Sequence, residues 1–158
     1  MEQNCVQILA QSLEKKSKVL DDIIEQNNLQ ETILKQDKLD RDAFEKSVDE
    51  QNKLIAELDR LDRGFETVYD RTREEMVVNK AKYSKEIALM KSLIQQITDK
   101  IVAINAGNLR NQRMAENQFK KERLAIQQNV SKSKVARDYY NSMNKLNCVA
   151  PQFYDSKK

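Results

Sequence analysis

The stretch that decides the fold is "YSKEIALMKSLIQQITDKIVAI", residues 83–104. Its apolar residues recur at alternating steps of four and three positions, which places them along one side of a helix. The residues that keep this spacing are Tyr83, Ile87, Met90, Ile94, Ile97, Ile101 and Ile104. A repeat of this kind is typical of a helix that packs lengthwise against other helices.

Two earlier stretches show related spacing. Residues 6–35 contain neither Gly nor Pro and carry an apolar stripe that is interrupted by Lys16, Asn27 and Gln30. Residues 44–68 carry a second stripe, and its last members step by four, three, four and three: Leu54, Leu58, Leu61, Phe65 and Val68. Both stretches are therefore predicted to be helices.

Turns are predicted at two places. Three aspartates lie within residues 36–45, and Asp42 with Glu45 has the spacing of a capping box at the start of a helix. This indicates a turn near residues 36–41. Around Asn79 the apolar spacing loses phase, which favours a second turn there, although one continuous helix is the alternative. The predicted helices cover about residues 3–35, 41–76 and 80–146.

The predicted architecture is all-α, an elongated antiparallel three-helix coiled-coil bundle with a long, projecting C-terminal helix. It forms one domain over residues 1–158, with a helical base at about 1–104 and a C-terminal arm and tail at about 105–158. Gly64 is interpreted as a position that permits close packing. The inward side of the bundle is predicted to contain Leu58, Leu61, Phe65, Ile87, Ile94, Ile97 and Ile101.

The composition agrees with long helices. Of 158 residues, 39% are hydrophobic and 34% charged, with 2 Gly and 1 Pro, too few turn residues for a rounded globule. The net charge of +3 is unevenly divided. Residues 1–75 hold 12 basic and 19 acidic residues, whereas residues 76–158 hold 16 and 6. Oppositely charged halves favour antiparallel folding and leave a basic surplus for an acidic partner, although solvated helix faces are the simpler interpretation.

The residue types argue against catalysis. The chain has no histidine, no glycine-rich phosphate loop and no carboxylate pair in a recognisable site, so we expect no enzyme, no cofactor and no metal. Cys5 and Cys148 stand alone near opposite ends, which fits a reducing compartment. No apolar run is long enough to cross a bilayer and residues 1–20 lack a signal-peptide core, so we expect a cytoplasmic protein without membrane insertion.

Nucleic-acid binding is the function that the basic second half raises. Basic residues recur from Arg110 to Arg137, but Glu116, Glu122 and Asp138 are interleaved with them or follow them directly. The segment has few aromatic residues in its middle and no groove-reading motif. We therefore expect no nucleic-acid partner.

The arm beyond Ile104 is the candidate binding segment. Its apolar residues no longer share one narrow stripe, because Asn and Gln replace the isoleucines from Asn105 onward. We expect the arm to add little to the folding of the monomer and to capture an amphipathic helix of a partner. The alternative is that it pairs with a second copy as a homodimer. The candidate partner-binding residues are Leu109, Met114, Phe119, Ile126, Val130, Tyr139, Tyr140, Met143 and Leu146.

The last twenty residues, "YYNSMNKLNCVAPQFYDSKK", are unusually apolar. Pro151 biases Ala150 away from helical angles, so the final helix is expected to end within residues 147–150. The aromatic residues Phe153 and Tyr154 then either pack back onto the chain, remain without order, or dock onto a partner. The sequence leaves these alternatives open.

Three segments carry a family resemblance: "QNKLIAELDRLDRGFETVYDR" (51–71), "EIALMKSLIQQITDKI" (86–101) and the terminal stretch at 139–158. They resemble the FlgN-like family of flagellar export chaperones. The resemblance implies a small cytosolic helical chaperone for flagellar type III secretion. Such a protein would bind the C-terminal regions of hook-filament junction proteins (FlgK/FlgL-like) and bring them to the export apparatus. The rival interpretations are a FliT-like chaperone of the filament-cap protein and a structural, self-associating coiled coil.

Overall fold

A computed structural model describes the backbone of residues 2–125 and 130–147, and the side chains of residues 5–124 and 135–145. Within these ranges the chain forms four α-helices and no strand, which confirms the all-α class. The helices are α1 (Glu2–Leu34), α2 (Arg41–Val78), α3 (Ser84–Ala125) and α4 (Val130–Asn147). None of the described helices is long and apolar enough to span a bilayer.

Both predicted turns are present. The carboxylate of Asp40 caps α2 by accepting a hydrogen bond from the backbone N–H of Ala43 at 3.1 Å. The cap is therefore Asp40, and the predicted capping role of Asp42 is wrong because that residue already lies in the first helical turn. At the second turn α2 ends at Val78, the backbone of Asn79 leaves helical angles with φ −113° and ψ 46°, and α3 begins only at Ser84. The alternative of one continuous helix through Asn79 is thereby excluded.

α1 is the central helix. It runs antiparallel to α2, as the Lys16–Asp62 ion pair at 2.6 Å and the Gln30–Gln51 hydrogen bond at 3.0 Å show. It runs parallel to α3, where the ammonium of Lys100 donates to the Ser17 hydroxyl at 2.6 Å. Both neighbours therefore pack on one shared helix.

The first hydrophobic cluster joins these three helices. It buries four of the predicted inward residues, Leu58, Phe65, Ile94 and Ile97, and Ile87 and Ile101 pack partly buried against it. The remaining predicted residue, Leu61, is also buried. The inward side is therefore confirmed. Gly64, in contrast, has open space where a side chain would stand, so its predicted role in close packing is wrong.

A layer of buried amides follows the first cluster. The Gln51 side chain accepts a hydrogen bond from Gln30 and donates to the Oδ1 of Asn27 at 2.8 Å. Asn111 on α3 donates to the backbone carbonyl of Asn27 at 2.9 Å. The polar interruptions of the first stripe are thus buried and paired across three helices, because an unpaired buried amide would cost about 1–3 kcal/mol.

The C-terminal arm differs from the expectation. The predicted helix over about residues 80–146 is instead two helices, and α4 folds back antiparallel to α3 rather than projecting. The physical reason is apolar surface that three helices leave uncovered at this end. α4 covers it and completes a second hydrophobic cluster of Ile33, Leu34, Leu39, Phe44, Val48, Ala115, Phe119, Val135, Tyr139 and Met143.

Candidate helix-binding groove

α4 lies in a groove between α2 and α3. Its apolar residues Val135, Tyr139 and Met143 are spaced by four, so they occupy one face of the helix and enter the second cluster. The Tyr139 ring stands 5.3 Å from the Phe44 ring, measured between centroids. Phe44 in turn meets Phe119 edge to face at 6.1 Å. The groove therefore accepts an amphipathic helix through aromatic contacts.

We call the part of this groove that holds α4 the seat of α4. Side-chain hydrogen bonds also hold α4 in this seat. The Ser142 hydroxyl donates to the Oδ1 of Asn52 on α2 at 2.6 Å. The Tyr140 hydroxyl donates to a carboxylate oxygen of Glu116 on α3 at 3.3 Å. Each contact ties α4 to one wall of the groove. The contacts of α4 are thus mainly apolar, with a polar contact at each edge.

The two adjacent tyrosines have different surroundings. Tyr139 is fully buried, and its hydroxyl has no hydrogen-bond partner among the described residues. Burial raises the pKa of Tyr139, and the neighbouring Tyr140 and Glu116 raise it further. Tyr140 is half-buried, and burial together with Glu116 raises its pKa above the ordinary value. Tyr139 therefore belongs to the core, whereas Tyr140 lies at the edge of the groove.

The nine predicted partner-binding residues do not form one exposed surface. Phe119, Tyr139 and Met143 are buried, Met114 and Tyr140 are half-buried, and Leu109 is 52% exposed. Val130 and Leu146 lie on α4, but their side chains are outside the described residues, as are Ile126, Phe153 and Tyr154. The structure thus brings five of the nine together around the seat of α4: Phe119, Tyr139 and Met143 belong to the second cluster, and Met114 and Tyr140 pack against it.

A second groove was not predicted from the sequence. Near the α2–α3 turn, the two helices border an open groove of about 660 Å³ with no α1 residue among its lining. We call it the tip groove. Its lining residues include Tyr69, Arg73 and Met76 on α2 and Ile87 and Lys91 on α3. The only sequence signal was the loss of phase around residues 75–83, which was interpreted as a turn.

The tip groove lies on the same side of α2 and α3 as the groove that holds α4. The side of α3 that faces α1 repeats every seven residues along the helix, because Met90, Ile97, Ile104, Asn111 and Gln118 are all buried. A seven-residue step therefore keeps the same side of α3. Ile87 and Lys91 in the tip groove stand 28 residues before Ala115 and Phe119, which lie in the second cluster with α4.

The same relation holds on α2, whose buried positions Gln51, Leu58, Phe65 and Thr72 also step by seven. Two residues at the seat of α4 lie 21 positions before Tyr69 and Arg73 of the tip groove. These are Val48 of the second cluster and Asn52, the partner of Ser142. The tip groove and the seat of α4 therefore lie on the same side of α2 and α3, at opposite ends of these helices.

Within the described parts of the chain, no group of three or more Cys, Asp or Glu residues is placed to hold a metal ion. A smaller groove of about 220 Å³ lies between α1 and α2 beside Gly64, with Lys15 and Arg60 in its lining.

Comparison with protein-family models, curated proteins and solved structures found no match to this chain.

Proposed function

We propose that this chain is a cytoplasmic export chaperone that binds the C-terminal region of a hook-filament junction protein of the FlgK/FlgL type before type III export. One observation carries the proposal: a helix, α4, is seated in the α2–α3 groove by an apolar face. A groove that holds an internal amphipathic helix provides the surface that a partner helix needs. The resemblance of three sequence segments to FlgN-like chaperones supplies the class of partner.

The proposed mechanism is an exchange at the seat of α4. When α4 leaves, Phe119 on α3 and Tyr139 and Met143 on α4 become accessible together. A partner helix inserted between α3 and α4 would cover both sets of side chains. Binding would therefore replace internal contacts with intermolecular ones, and its net free energy is the difference between the two. The exposed Leu109 and the half-buried Tyr140 would meet the partner at the edge of this site.

The first test is a mixing experiment with the full chain and a C-terminal fragment of a junction protein. A chaperone forms a stoichiometric complex that elutes as a new peak in size-exclusion chromatography. A filament-cap protein fragment serves as the competitor, since binding to it alone would favour the FliT-like alternative. If the chain only self-associates and binds neither fragment, the chaperone proposal is wrong and a structural coiled coil remains.

The second test locates the site. Changing Leu109→Ala and Tyr140→Ala together should weaken fragment binding by about tenfold or more, because both side chains would contact the partner. The matched control is Leu29→Ala, which removes a leucine of similar exposure on α1, 48% against 52%. Thermal melts by circular dichroism check that both variants fold. Equal binding by the two variants would remove the α3–α4 arm from the proposed site.

These point variants test the binding site more directly than a deletion of residues 109–158 would. Asn111 and Gln118 hydrogen-bond to backbone carbonyls at the C-terminal end of α1 and just beyond it. Phe119 belongs to the second cluster. A deletion would therefore remove part of the folded core together with the binding segment, and lost binding would have two explanations. The expectation that the arm adds little to folding is not compatible with these contacts.

A further inference from the structure

We propose that the tip groove is a second docking surface, which binds an amphipathic helix with acidic flanks from a partner protein. The proposal does not depend on the export-chaperone assignment, because it rests on the shape, position and charge of the tip groove. It also concerns different residues: the seat of α4 and the tip groove are separated by 21 residues along α2, about 30 Å of helix.

The shape of the tip groove favours a helix as its occupant. The groove is bordered by α2 and α3, and the same two helices hold α4 between them farther along. A helix of about 16 residues, roughly 24 Å long, would lie in line with α4 and repeat its mode of packing. Met76 and Met90 line the groove, and their unbranched side chains adapt to the shape of a partner.

The charge of the tip groove favours acidic flanks. Ten described residues line it, of which three, Arg73, Lys80 and Lys91, are basic and none is acidic. The rim also offers apolar area, since Val77 is 61% exposed. An apolar groove whose charged lining residues all have the same sign selects a partner that has an apolar stripe with opposite charges beside it. An acidic helix meets both requirements.

The test uses the full chain and two fluorescent peptides of about 16 residues, each with leucines at steps of three and four. One peptide carries glutamates beside the leucine stripe, and the other carries lysines at the same positions. We expect saturable anisotropy binding for the acidic peptide and binding weaker by about tenfold or more for the basic one. Affinity for the acidic peptide should fall as salt rises. Equal affinity for the two peptides would overturn the charge argument.

Variants then place the binding site. Arg73→Glu with Lys91→Glu should weaken acidic-peptide binding by about tenfold or more. Lys18→Glu with Lys46→Glu makes the same change in net charge at exposed positions outside the groove and should leave binding unchanged. Helix content and melting temperature identify any variant that fails to fold. If both pairs weaken binding equally, the attraction is nonspecific and the proposal fails.

The apolar part of the site has a closer control. Val77→Asp should weaken acidic-peptide binding, because Val77 lines the tip groove. Val78→Asp places the same side chain at the next residue, which is 78% exposed and is not part of the groove lining. Binding by the Val78 variant should stay close to that of the unchanged protein. Loss of binding in the Val78 variant alone would place the peptide elsewhere.

Two other occupants give distinct results. If a second copy of the chain fills the groove, sedimentation will show a dimer that Arg73→Glu with Lys91→Glu converts to a monomer. If residues 148–158 fill it, the peptide will bind only after Phe153→Ala and Tyr154→Ala. Either result overturns the proposal. The double change Leu109→Ala and Tyr140→Ala should leave acidic-peptide binding intact, which separates this surface from the proposed junction-protein site.

Discussion

At the scale of single residues, the adjacent tyrosines differ in their surroundings: Tyr139 is in the core, and Tyr140 is at the edge of the groove. The Tyr139 hydroxyl is buried without a partner among the described residues, so we expect Tyr139→Phe to raise the free energy of unfolding by about 1 kcal/mol. Urea titration measures the change. The control, Tyr140→Phe, loses the bond to Glu116 and should lower stability by about 0–1 kcal/mol. A clear loss in the Tyr139 variant would reveal a partner for its hydroxyl.

The same hydroxyl predicts a dependence on alkaline pH. Burial raises the pKa of Tyr139 in the folded state above its value in the unfolded chain. The unfolded state therefore loses this proton first, so the contribution to stability is complete below about pH 10 and falls as pH rises further. Urea midpoints at about pH 8 and pH 11 should differ less in Tyr139→Phe than in the unchanged protein. Equal differences would show that Tyr139 is not the source of the pH dependence.

Ile97 tests the main core at residue scale. Its side chain is fully buried in the first cluster, so Ile97→Ala should lower the free energy of unfolding by about 2–5 kcal/mol through lost burial and a cavity. Val102→Ala, on the exposed side of the same helix, should change it by less than about 0.5 kcal/mol. Chemical denaturation measures both. A loss near zero for Ile97 would mean that the inward side of α3 is not the core.

At the scale of the helix, Gly64 and Gly107 are expected to respond differently to an added Cβ. Gly64 has no neighbour within 4 Å of an added Cβ, so Gly64→Ala should stabilise α2 by about 0.5–1 kcal/mol. At Gly107 an added Cβ would stand 3.2 Å from the Nδ2 of Asn27. Gly107→Ala should therefore gain less than Gly64→Ala or lose stability, because Asn27 belongs to the buried amide layer. Thermal and urea denaturation of both variants rank them, and equal gains would contradict this prediction.

Helix-scale features also show what sequence could and could not predict. The four-and-three spacing from Tyr83 to Ile104 correctly predicted an inward side, because that spacing directly determines which residues share a helix face. The fold-back of α4 was missed, since no Gly or Pro breaks residues 108–147 and a long helix remained locally favourable. The burial of Tyr139 depends on Phe44, which is distant in sequence. The tip groove likewise depends on how α2 and α3 meet.

At the scale of the whole molecule, α4 is expected to open before the rest of the fold. Its described side chains, at residues 135–145, belong to the second cluster alone, whereas α1, α2 and α3 share the larger first cluster. Native-state hydrogen exchange should therefore give α4 amides a lower opening free energy than amides around Leu13 and Ile97. Mass spectrometry of peptic fragments would resolve the helices. Equal protection throughout would make the exchange of α4 for a partner helix energetically unfavourable.

The parallel packing of α1 on α3 also affects folding during synthesis. Side-chain hydrogen bonds between α1 and α2 join residues 21 to 46 positions apart, whereas those between α1 and α3 join residues 77 to 84 positions apart. At roughly 5–20 residues added per second, α1 waits on the order of 4–16 s for α3 to leave the ribosome. During that interval the α1–α2 hairpin presents an uncovered side, on which Ser17 and Asn27 interrupt the apolar surface. We expect these two polar residues to make the nascent hairpin less prone to aggregate before its third helix arrives.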